Sequence, residues 1–96
     1  MPTPGLPQPS AATPLTSTGV VRGKSGFYHG YIVTTVTGGA VTLYDNASAA
    51  SGTVIDVIPT STAAGTRGVL AQPVPVSNGV YASFASTGTV LFLHDA

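Results

Sequence analysis

The sequence predicts an all-β fold, a small antiparallel β-sandwich of jelly-roll-like form with an extended N-terminal arm. Three observations carry that expectation. From Gly19 onward, runs rich in Val, Ile, Thr, Tyr and Phe alternate with Gly, Asn and Ser clusters every eight to twelve residues or so, roughly the spacing of a sandwich or barrel. No stretch sustains a 3.6-residue apolar period, since Ala47, Ala49 and Ala50 are too few to build a helical face. Five of the eight prolines (Pro2, Pro4, Pro7, Pro9 and Pro14) precede residue 19, with no charged side chain among them.

Taken in order, residues 1–18 form the expected arm. Proline fixes φ and removes an N–H donor, which bars this stretch from a helix or a central strand. An extended PPII path at about 3.1 Å per residue gives it a reach on the order of 50 Å. It reads either as a floppy terminus or as an arm that orders on a partner, with Leu6 and Leu15 as its apolar anchors; its lack of charge favours the arm. The domain, residues 19–96, is expected to hold strands near 20–24, 27–37, 40–44, 53–59, 68–76, 80–86 and 89–94. Gly30 marks a bulge or bend inside the second of these. Gly38-Gly39 fits a two-residue hairpin turn, and Asn78-Gly79 is a turn signal of the same kind. Pro73 and Pro75 stand two residues apart, so their missing N–H groups fall on one side and assign that segment to a sheet edge. In the last run, Val90, Leu91, Phe92 and Leu93 are apolar on both faces, because alternate side chains point opposite ways. One face fills the core. The other calls for cover by a second layer of the same domain or by a neighbouring copy; the second of these makes Leu6, Leu15, Val90, Phe92 and Leu93 the expected interface residues of a homo-oligomer.

Charge is sparse. Arg22, Lys24 and Arg67 stand against Asp45, Asp56 and Asp95, giving 6% charged residues and zero formal net charge at pH 7, where soluble domains carry roughly a quarter charged residues. Self-repulsion is therefore weak and association is favoured. Hydration falls to Ser and Thr, which supply 23 of the 96 residues. Such a surface suits life inside an assembly. It lacks the basic stripe that a nucleic-acid partner requires. No run reaches the roughly 18 apolar residues of a membrane-crossing helix, and the first residues lack the charged and apolar regions of a secretory leader. With no cysteine, disulfides and thiolate metal sites are excluded.

Candidate chemistry is thin, and neither a catalytic site, a cofactor nor a metal is expected. His29 lies between aromatics in Phe27-Tyr28-His29-Gly30-Tyr31 and reads as a half-buried strand histidine bonded to backbone. His94-Asp95 falls at the chain end, where fraying is normal. No serine sits in a Gly-x-Ser-x-Gly elbow. Asp45-Asn46 reads as a turn whose side chains bond the local backbone, since a calcium site needs several converging carboxylates. Gly65-Thr66-Arg67-Gly68 lacks the Gly-Lys-Ser/Thr ending of a phosphate loop. Tyr28, Tyr31, Tyr44 and Tyr81 fit either a sugar-stacking face or a rim around the core with hydroxyls reaching water; the absence of tryptophan favours the rim.

Three segments share a pattern with a known group: His29-Gly30-Tyr31-Ile32-Val33, then Gly39-Ala40-Val41-Thr42-Leu43-Tyr44-Asp45-Asn46, then Ala50-Ser51-Gly52-Thr53-Val54-Ile55. With the later stretch SNGVYASFASTGTV, they resemble small β-sandwich virion structural proteins of tailed bacteriophages, of the capsid decoration (cement) type. The resemblance spans roughly residues 19–90 and rests on turn and strand residues. It implies a jelly-roll-like sandwich, often a trimer, that binds the major capsid protein and stabilises the shell. The implied location is the capsid surface of the virion, assembled in the host cytoplasm. Related sandwiches occur in head and tail fibres, which makes a receptor- or glycan-binding module the alternative. No functional residue is carried over, and the arm lies outside the shared pattern.

Overall fold

A computed structural model describes residues 11–94. Eight strands form in chain order: β1 (Ala11–Leu15), β2 (Gly19–Arg22), β3 (Gly26–Thr35), β4 (Val41–Tyr44), β5 (Val54–Ile58), β6 (Val74–Val76), β7 (Val80–Phe84) and β8 (Thr89–His94). All pairings are antiparallel, and they build two four-stranded sheets ordered β1-β8-β3-β6 and β2-β7-β4-β5. The all-β sandwich expected from the sequence is the fold observed. Its pairing is nested: the first strand meets the last, the second meets the seventh, the third meets the sixth, and the fourth meets the fifth.

The core lies between the sheets. Val33, Val90 and Phe92 from the first sheet meet Val41, Leu43, Val80 and Ala82 from the second, all fully buried. Strand β8 reads half-buried, buried, half-buried along its length, as a strand with two distinct faces should. Phe84 of β7 meets Phe92 of β8 edge-on across the sandwich, with ring centroids 6.3 Å apart.

Three expectations are revised. Residues 11–15 belong to the sandwich, because β1 pairs with β8 along its whole length, from Ala11↔His94 to Leu15↔Val90. Residues 11–15 of the expected arm are thus a sheet edge, where a proline such as Pro14 is tolerated; residues 1–10, with Leu6, lie outside the described residues. Gly38-Gly39 is not a hairpin turn, since β3 and β4 belong to different sheets, and the same holds for Asn78-Gly79 between β6 and β7. Both are corners. The Gly38 N–H donates to the Thr87 carbonyl at 2.7 Å, tying one corner to the β7–β8 connection. Finally, the expected strand over 68–76 is regular only in β6. Residues 65–70 instead run along β3 through Gly65 N–H to Val33 O, Gly68 N–H to Tyr31 O and Leu70 N–H to His29 O.

Two expectations hold. Strand β6, with Pro75 inside it, is an edge strand. Gly30 breaks the β3–β8 register with φ +121°, and a Cβ there would strike the Gly68 carbonyl oxygen.

Candidate functional site

Residues opposite one another in an antiparallel pair share a face, so the registers assign the outer surface. On the first sheet, Pro14, Leu91 and Ile32 form one outward row that ends at Arg67. Ala12, Leu93 and Gly30 form the next. On the second sheet, Val20, Tyr81, Tyr44 and Val54 form a continuous row from edge to edge. Beside it run Ser83, Thr42 and Val57. Val20 is 42% exposed, Val54 50% and Val57 49%. Lys24 and Asp45 sit in connections. Arg22, at the end of β2, donates from Nε and Nη2 to the Ser25 carbonyl at 3.0 and 2.7 Å.

The expected interface residues divide. Val90 and Phe92 point into the core and are fully buried, so they offer no surface to another chain. Leu15 is half-buried and packs against the same core. Leu93 lies on the outer face, half-buried, next to Leu91, which the terminal run placed there by the same alternation.

The tyrosines also divide. The Tyr28 side chain does not reach water: it is fully buried, and its hydroxyl donates to Asp56 Oδ2 at 2.9 Å, joining β3 to β5 across the sandwich. Burial foremost, and the Asp56 charge after it, push the phenol well above its ordinary value. The same two causes raise Tyr31. Asp56 Oδ1 accepts the Val57 N–H at 2.8 Å, so one carboxylate serves the core and the β5 edge together. Tyr44 and Tyr81 are direct neighbours on the outer face.

The histidines are structural in placement. His29 is buried in β3. His94 is held rather than frayed: it pairs with Ala11 and Tyr28. The Thr13 hydroxyl lies 2.8 Å from His94 Nε2 and 3.3 Å from the Val21 carbonyl oxygen, bonding to both.

At Asp45-Asn46, one residue behaves locally and the other does not. Asn46 Oδ1 accepts the N–H groups of Ser48 and Ala49, both at 2.9 Å. Asp45 reaches across the molecule instead, accepting from the N–H groups of Ser77 at 3.1 Å, Asn78 at 2.9 Å and Gly79 at 3.4 Å. These donors, Asn78 first, hold its carboxyl below the usual carboxylate range. Nothing local in the sequence marks this link.

Among the described residues no pocket encloses a small molecule, and no three metal-ligating side chains gather. Every buried side-chain nitrogen or oxygen among them has a hydrogen-bond partner. The candidate functional surface is therefore the pair of outer faces. Compared with known proteins, the chain matches no family model, no curated protein and no solved structure.

Proposed function

We propose that the chain is a non-enzymatic virion structural protein of a tailed phage, which binds the capsid shell and reinforces it as a decoration protein. The observation that carries this reading is the near-neutrality of the outer faces: in the outward rows described above, Arg67 at one end is the only charged residue. Stripping water from charges is the largest obstacle to docking, and these faces present almost none. The nested strand order supports the reading as well. We read this order as that of an eight-stranded jelly roll, an architecture of viral capsid and lectin domains among others.

The proposed partner is the major capsid protein at the capsid surface, and the proposed state is a homo-oligomer, a trimer by resemblance. Leu91, Leu93 and Ile32 are its contact residues on the first sheet. A protein that binds only the assembled shell stabilises it by mass action. Co-sedimentation with expanded shells of the encoding phage tests this: the chain pellets with shells and raises their disruption temperature. A chain that stays in the supernatant overturns it.

One observation favours a second reading, a receptor- or glycan-binding module of a head or tail fibre. Tyr44 and Tyr81 lie side by side with Thr42 and Ser83 in the next row, so ring faces and hydroxyls meet on one surface. Under that reading the chain ignores shells and binds a glycan array, and Tyr81→Ala abolishes the signal.

A further inference from the structure

We propose that Asn78-Gly79 is a spontaneous modification site, an asparagine prone to deamidation that Asp45 holds out of reactive geometry. The chemistry needs only water and hydroxide. The Gly79 main-chain nitrogen gives its proton to hydroxide and forms a bond to Asn78 Cγ. The Cγ–Nδ2 bond then breaks, and the departing nitrogen takes a proton from water and leaves as ammonia. The resulting five-membered imide adds one water and opens to aspartate or isoaspartate. Glycine after asparagine favours the attack, because no Cβ shields the nitrogen.

The structure opposes this step from two sides. Asn78 is exposed, so its amide is open to solvent, whereas Gly79 is buried. The attacking nitrogen is itself one of the three donors to Asp45, and its neighbours Asn78 and Ser77 supply the other two at shorter range. A carboxylate facing an N–H makes loss of that proton harder. On the opposite side, a Cβ at Gly79 would collide with the Arg22 carbonyl oxygen and would lie 3.2 Å from both Ala47 Cα and Lys24 N. Gly79 has φ +148°. Gly79 is thus closely packed against the β2–β3 and β4–β5 connections, which leaves its main chain little room to turn toward the Asn78 side chain. Once the step occurs, a new carboxylate appears on residue 78 itself and opposes Asp45 by like charge.

The test incubates the intact chain, folded and in urea, at one mildly alkaline pH. Peptide mapping then follows the mass change and isoaspartate at Asn78. Releasing the Asp45 contacts to the Asn78 and Gly79 N–H groups before attack is expected to slow the folded chain by roughly tenfold or more. Equal rates in the two conditions overturn the proposal. Asp45→Asn and Asp45→Glu, the second keeping the charge but displacing it, are expected to lose most of the protection while keeping the strand signal in circular dichroism. Either variant, natively folded and as slow as the wild type, also overturns it. The comparison of folded and unfolded wild type stands whether or not the variants fold.

Discussion

A single carboxylate, Asp45, joins the β4–β5 connection to the corner between β6 and β7, and its titration shapes the acid limb of stability. Its folded pKa lies below the ordinary value, which is about 3.9 in an unfolded chain. The contribution is complete above that value and is lost as pH falls through the lower folded one. Urea midpoints are therefore expected to drop below about pH 4, and Asp45→Asn should lower the neutral midpoint while flattening that drop. An unchanged acid limb in the variant contradicts the assignment. Tyr28 acts at the other extreme. Its raised pKa means that its contribution is complete below about pH 10 and declines as pH rises toward the folded value. Tyr28→Phe leaves Asp56 Oδ2 without that donor and should cost about 1–3 kcal/mol in urea unfolding at neutral pH, with a shallower alkaline loss. The Asn46 turn was legible in the sequence because its acceptor and donors lie within three residues. Asp45 and Tyr28 were not, because topology alone brings their partners from 28 to 34 residues away.

Strand β8 organises the first sheet, with β1 on one side and β3 on the other. Its two faces predict opposite outcomes. Phe92→Ala removes a fully buried ring and should cost about 3–5 kcal/mol in urea unfolding. Leu93→Asp alters the outer face and should leave thermal unfolding close to wild type while abolishing particle binding. Unfolding by Leu93→Asp would mean that this side chain belongs to the core. Gly30→Ala should also destabilise, since the positive φ and the Gly68 carbonyl both exclude a Cβ. At this scale the sequence revealed strand identity better than strand connection. The Val, Ile and Tyr runs became strands, and Pro75 marked an edge as read. Strand β1 went unseen because prolines on both sides of Ala11 masked a run that only an edge accepts. Gly38-Gly39 and Asn78-Gly79 read as hairpins because a short glycine-bearing step serves equally to reverse a chain within a sheet or to carry it to the next.

For the whole molecule, the neutral outer faces explain how so few charges are arranged. Asp56 is spent on the interior and the β5 edge, Asp45 on a connection, and Arg22 on the Ser25 carbonyl. Pro14 and Pro75 guard both edges of the first sheet, which discourages strand-by-strand aggregation and leaves the faces as the proposed contact surface. Attraction between such faces comes from apolar burial and hydroxyl hydrogen bonds, which salt does not screen. Co-sedimentation of the chain with phage shells across a range from millimolar to molar salt tests that claim most directly. Binding that holds steady or tightens as salt rises, and that disappears in Leu93→Asp, is the predicted result. Binding that collapses with salt, or that survives Leu93→Asp unchanged, would contradict it.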